Sequence, residues 1–258
     1  MDSATTSTAD RLAVAPVGLP HPLDRTLRIR AVLFDVDGTL YRQTPIRAMM
    51  TMELLTLPLL APLKAAQRWR TLAAYRRAQE HLRQEPGKVT RATQVAAAAG
   101  AGAGLPLGEV EPLIEEWMFE RPLKYLPYFK AAGLRRLLDL LDRSGVRTGV
   151  LTDYPAGQKL RALGLAERFP LVLCATDPDI GRFKPDPRGF LRACERWQLN
   201  PRDVLMVGDR VDVDAAGAAA AGMTSVIIGR HRGGAHTPVN CLRLPSFERL
   251  HDVLASGS

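Results

Sequence analysis

The sequence predicts an α/β fold: a parallel sheet whose first strand is separated from the second by a long helical insertion. Short β-branched apolar runs alternate with helical patterns over most of the chain, no strand pattern occurs over residues 44–128, and acidic or glycine residues follow the apolar runs.

The first run, residues 30–36 (RAVLFDV), reads as a buried parallel strand that enters a loop. Similar runs follow at 148–152, 171–174, 204–207 and 224–228. Between them, residues 131–143 and 188–197 place leucines and other apolar groups three and four apart, the spacing of a helix with one buried face. Residues 44–128 read as several helices punctuated by Pro58, Pro62, Pro86-Gly87 and a glycine-rich loop at 100–106. The expected organisation is a mobile leader over 1–27, an α/β core from 28–43 and 129–258, and an α-helical cap from 44–128.

With 35 Lys and Arg against 27 Asp and Glu, the chain carries a formal charge of +8, which favours anionic partners. The arginines of residues 68–91 are interleaved with apolar residues rather than blocked together, so a solvated helix face is expected and no nucleic acid. Three widely spaced cysteines, Cys174, Cys194 and Cys241, form neither a disulfide framework nor a CxxC site, which points to a reducing, cytoplasmic compartment. The apolar stretch 49–63 contains Glu53 and two prolines and falls short of the roughly 20 residues of a membrane span. Together with the arginines after it, it suggests at most contact with a membrane surface or a lipid-linked phosphate.

Four pieces carry chemistry: Asp35-Val36-Asp37-Gly38-Thr39, Thr152-Asp153, Lys184-Pro185-Asp186-Pro187, and Gly208-Asp209 followed by Asp212 and Asp214. Each follows a strand run or feeds the same sheet, and the carboxyl ends of parallel strands share one edge. Asp35 and Asp37 would end a strand, with Gly38 allowing a sharp turn and close approach of backbone amides to a ligand. Two carboxylates about 4 Å apart repel by about 4 kcal/mol at an effective dielectric near 20, so a cation belongs between them. Carboxylate oxygens without His or Cys suit magnesium. Taken singly, each piece is equally well a turn, a cap or a solvated charge; it is their joint order that points to a site. GAGAG at 100–104 lacks the strand and GK[ST] of a phosphate loop; of His21, His81, His231, His236 and His251 only the pair in HRGGAH, His231 and His236, approaches metal-ligand spacing, and that stretch reads as a solvent-exposed loop. The aromatics Trp69, Tyr75, Trp117, Phe119, Tyr125, Tyr128 and Phe129 could line a substrate pocket, but aromatics at helical spacing usually pack a core, and none is assigned to substrate.

At these residues the chain resembles the haloacid-dehalogenase-like hydrolase superfamily: DVDGT its first motif, Thr152 its second, Lys184 its third and GDRVDVD its fourth. The helical insertion is similar to that family's class I cap, and the whole is phosphoglycolate-phosphatase-like with a Rossmann-like core. The resemblance implies a magnesium-dependent phosphohydrolase of small phosphate monoesters, in which Asp35 attacks phosphorus and Asp37 serves as general acid and then base. It places Thr152, Lys184, Asp153, Gly38 and Thr39 against the phosphoryl group. Magnesium would be held by Asp35, the main-chain carbonyl of Asp37 and Asp209, with Asp214 or Asp212 ordering its waters. Asp153 stands where many relatives have Asn. A phosphomutase of the same family and a non-catalytic binding protein with a basic cap are the alternatives. The sequence leaves the oligomeric state open.

Overall fold

A computed structural model of the chain describes residues 29–56, 62–85, 87–101, 105–229 and 237–256. The leader over 1–27, most of the 100–104 loop, and His21, His231 and His236 lie outside the described residues.

Six strands form one parallel sheet in the order β3-β2-β1-β4-β5-β6: β1 (Ala31–Phe34), β2 (Arg147–Thr152), β3 (Leu171–Cys174), β4 (Val204–Gly208), β5 (Thr224–Ile228) and β6 (Cys241–Leu244). Period-two geometry divides the core into two layers. Val32, Phe34, Val150, Leu205 and Val207 face α5 (Leu134–Arg143) and α9 (Phe247–Ala255), meeting Leu134, Leu137, Leu138, Leu141 and Leu250. Ala31, Leu33, Leu151, Val204 and Met206 face α7 (Arg188–Trp197), meeting Phe190, Ala193, Cys194 and Trp197. Each such aliphatic side chain, removed from water on folding, contributes about 1.5–3 kcal/mol, which explains why four-residue strands suffice.

Between β1 and β2 the chain forms α1 (Gln43–Thr56), α2 (Pro62–Gln84), α3 (Arg91–Gly100), α4 (Leu107–Ile114), a π-helical turn (Glu115–Glu120) and a 3₁₀ segment (Arg121–Phe129). These helices have a core of their own around Tyr75, Val95, Val110, Ile114 and Phe119. The outgoing and returning chain pair at the neck, where Arg42 N–H donates to Phe129 O at 2.8 Å and Ala131 N–H to Leu40 O at 2.9 Å. No described helix is long and apolar enough to cross a membrane.

Two expectations need correction. The sheet does not end at β5: β6 follows, a half-buried four-residue edge strand containing Arg243, too short for its alternation to register in the sequence. The helix expected from residue 131 starts at Leu134, because Gly133 takes a left-handed conformation at φ 74°. After Asp209 the chain forms a π turn (Val211–Ala215) and then α8 (Ala216–Ala220).

Candidate active site

The central strand β1 pairs with β2 on one side and β4 on the other, so the crevice at its carboxyl end lies where the chain switches direction across the sheet. Asp35 leaves β1 with its N–H bonded to Val207 O of β4 at 2.9 Å. Its carboxylate is buried, accepting from Thr39 Oγ1 at 2.9 Å and from Lys184 Nζ at 2.6 Å. Lys184 Nζ also donates to Asp214 at 2.7 Å and to Leu151 O at 3.3 Å, which draws the ends of β1, β2 and β4 around one ammonium. Thr152, the last residue of β2, is buried, and its Oγ1 accepts the Tyr154 N–H at 3.2 Å.

Asp35, Asp209 and Asp214 each present an oxygen within 4.8 Å of the others. Burial and then its carboxylate neighbours raise the Asp35 carboxyl well above its usual range, against the pull of Lys184. Burial and Asp214 push Asp209 up to about 7. Burial alone would lower the Lys184 ammonium, but Asp214, Asp35 and Asp153 outweigh it and hold it above its ordinary value. The cluster therefore holds more negative charge than one lysine neutralises, and a divalent cation with oxygen ligands fits it.

Close backbone approach makes this cluster. Gly38 has φ 101°, and a methyl group there would overlap the Asp209 carboxylate; one on Gly208 would overlap Asp214. Asp214 is further fixed by the N–H groups of Asp209 at 3.2 Å and Arg210 at 3.1 Å. Asp212 does not join the group: its exposed carboxylate pairs with Arg210, whose Nε is at 3.2 Å.

Asp37 points elsewhere, held by Lys159 Nζ at 2.6 and 2.7 Å and by the Tyr41 hydroxyl. Burial would raise its carboxyl, but Lys159 and Tyr41 prevail and hold it below the usual range. Asp153 accepts Arg83 of α2 at 2.8 Å and the Lys184 N–H at 3.0 Å, so its carboxylate is neutralised within the protein. Sequence reasoning missed Lys159, Arg83 and Tyr41. Only the location of Lys159, on the helix α6 (Gly157–Ala162) that follows the β2 loop, hinted at this sheet edge.

A family model described as haloacid dehalogenase-like hydrolase matches residues 29–222. The chain is 30% identical over 211 residues to an N-acetylmuramic acid 6-phosphate phosphatase of Pseudomonas aeruginosa, covering 79% of this chain and 83% of the relative. It is 30% identical over 203 residues to a phosphoglycolate phosphatase of Nitrosospira multiformis, covering 76% and 81%. Among solved structures, a 2-haloacid dehalogenase from Pseudomonas syringae superposes with a TM-score of 0.61 at 26% identity, over 89% of this chain and 100% of the other. A HAD phosphatase from Thermococcus onnurineus gives 0.60 at 25%, over 87% and 97%.

Proposed function

From the premise that the chain belongs to the haloacid dehalogenase-like hydrolase family, we propose that it hydrolyses small phosphate monoesters through an aspartyl-phosphate on Asp35, with magnesium in the cluster of Asp35, Asp209 and Asp214. The observation that carries this reading is the buried Asp35 carboxylate, bonded to Lys184 on one oxygen and to Thr39 on the other beside two further carboxylates.

The residues divide the work as follows. An Asp35 oxygen attacks phosphorus and the ester oxygen leaves, taking a proton from the protonated form of Asp37, which the negative charge of the arriving phosphate favours; Asp37 then removes a proton from the water that releases phosphate and regenerates Asp35. Lys184 and Thr152 hold the phosphoryl oxygens, with Gly38 and Thr39 supplying the close backbone. Asp35, the main-chain carbonyl of Asp37 and Asp209 would hold magnesium, with the Asp214 carboxylate beside them. When bound, magnesium neutralises the carboxylates and the phosphoryl oxygens so that one anion can attack another. Asp153 has a different part: it fastens Arg83 and the Lys184 backbone rather than touching phosphate.

The proposal extends to organisation. Residues 44–128 act as a cap over a core of 28–43 and 129–258, and exclude water from the seated phosphoryl group. All three cysteines are free and buried, which supports a reducing, cytoplasmic setting.

The test is phosphate release from p-nitrophenyl phosphate and a panel of small esters, with magnesium or EDTA, for wild type and Asp35→Asn. Magnesium-dependent release that disappears in Asp35→Asn is the expected outcome. Release that survives the substitution removes Asp35 as the nucleophile.

A further inference from the structure

Asp37 and Lys159 form part of the wall of a partly open chamber of about 560 Å³ bordered by α1, α2, the π turn and the 3₁₀ segment. Asp35, Asp209 and Lys184 do not line it. The general acid therefore opens to the chamber while the nucleophile does not, and the chamber lies on the side of the leaving group.

Its volume is in the range of pockets that enclose a ligand of many heavy atoms, far more than a two-carbon acid needs. Much of the wall is apolar, with Met50, Leu54, Trp69, Leu72 and Leu123 facing the space. Trp69 is 53% exposed although it is large and aromatic. Trp117, also on the wall, has an indole N–H buried with no hydrogen-bond partner among the described residues.

The charges on the wall divide sharply. Lys159 is taken by Asp37, Arg83 by Asp153 and Arg210 by Asp212, and Glu80 is shared between Arg83 and Arg210. Arg47, Arg76 and Arg77 line the same space with no ion-pair partner among the described residues. Partial burial, then the neighbouring Arg47 cation, holds the Arg76 guanidinium below its ordinary value, although the residue keeps a solvent-exposed surface. Arg47 and Arg76, both with solvent-exposed surface, face one chamber without a counter-ion among the described residues, an arrangement that suits an anion.

We propose that the preferred substrates are phosphate monoesters whose leaving group carries both an apolar body, seated against Trp69, Leu72 and Met50, and a second anionic group held by Arg47 and Arg76. This deepens the phosphatase reading and rests on it. The second anion is a carboxylate or a second phosphate, which the guanidinium pair recognises by the same chemistry.

The experiment uses four ligands: 2-naphthyl phosphate, 6-carboxy-2-naphthyl phosphate, naphthalene-2,6-diyl bisphosphate and phosphoglycolate. Their affinities for the full-length Asp35→Asn protein with magnesium are measured by calorimetry, alone and with Arg47→Gln and Arg76→Gln added. At least one doubly anionic naphthyl ligand should bind about tenfold or more tightly than 2-naphthyl phosphate and than phosphoglycolate, and the two arginine substitutions should abolish its advantage over 2-naphthyl phosphate. The stronger of the two identifies the anion. Equal affinity of the naphthyl esters with one and with two anionic groups, a preference that survives the arginine substitutions, or tighter binding of phosphoglycolate overturns the proposal. Wild-type turnover of the same esters is scored separately: binding preference without hydrolysis sinks the phosphatase reading alone, and hydrolysis without preference sinks the chamber assignment alone.

Discussion

The Arg83 guanidinium of α2 donates to the Asp153 carboxylate at the end of β2 at 2.8 Å, and the other oxygen of that carboxylate accepts the Lys184 backbone N–H at 3.0 Å. Arg83 also donates to the Lys184 carbonyl and lies over the Phe183 ring at 5.3 Å. One buried ion pair thus joins a helix of the insertion to the backbone of the lysine that holds Asp35.

Removing one partner of such a pair leaves an uncompensated buried charge. Arg83→Met should cost about 3–5 kcal/mol of stability, and Asp153→Asn less, because the amide oxygen still accepts the Lys184 N–H. The double variant should cost less than the sum. Denaturant unfolding of the four proteins checks this as a double-mutant cycle, and additive losses would mean the two groups do not interact.

The fates of Asp153 and Asp212 mark what could be read in advance. Asp35, Asp37, Thr152 and Asp209 each terminate or follow an apolar run, and parallel topology alone carries strand ends to one edge, so their neighbourhood was legible from local pattern. Two acids two residues apart, Asp212 and Asp214, look equivalent in sequence. The π turn and Arg210 decide which turns inward, and neither leaves a local signal. Arg83 and Lys159 are 70 and 122 residues from the carboxylates they hold, and each sits in a helix whose other basic residues are indistinguishable from it by pattern. Long-range charge pairing has no period to read.

Asp37 should separate the two chemical steps. An aryl phosphate has a leaving group that departs without a proton, so Asp37→Asn should still transfer the phosphoryl group to Asp35 but stall before its hydrolysis. Rapid-quench kinetics with p-nitrophenyl phosphate should show about one equivalent of p-nitrophenol per site, with steady-state turnover lower by about 10²–10⁴-fold. A burst of zero would place Asp37 in the first step even for this ester.

Lys159 sets the charge of that carboxyl. In Lys159→Met, burial is opposed only by the Tyr41 hydroxyl and the weaker pull of Lys184, so the Asp37 carboxyl should rise from its lowered position. The base in the second step must be ionised, so the acidic limb of the kcat profile should move to higher pH. The stability effect has the matching sign: in wild type the lowered Asp37 value contributes stability present above 3.8 and lost as pH falls through the folded value. An acidic limb at the same pH in both proteins would dissociate Lys159 from Asp37.

The metal should reveal itself through Asp209. With its carboxyl raised from 3.8 to about 7, the metal-free fold binds this proton more tightly than the unfolded chain does. Its stabilisation is therefore full below 3.8 and declines as pH rises toward 7. Magnesium competes with that proton, so the difference in Tm between magnesium-loaded and EDTA-treated protein should widen over this window and level off above it. Each kcal/mol of the difference corresponds to about 2–4 °C for a domain of this size. A gap independent of pH would mean the cation binds elsewhere.

Gly38 gives the most local check on the cation site. At φ 101° an L-residue is strained, and the added methyl of Gly38→Ala would overlap the Asp209 carboxylate and force it aside. Alanine at Gly87, where nothing lies within 4 Å of the added methyl, controls for the loss of a glycine as such. Calorimetric titration with magnesium should show affinity at least about tenfold weaker for Gly38→Ala, as for loss of one charged ligand contact, and unchanged for Gly87→Ala. Because the methyl displaces Asp209 without altering any carboxylate's charge, a weakened site can be assigned to ligand position rather than to net charge. Equal magnesium affinity in both variants would exclude Asp209 from the ligand set while leaving the Asp35–Lys184 pair untouched.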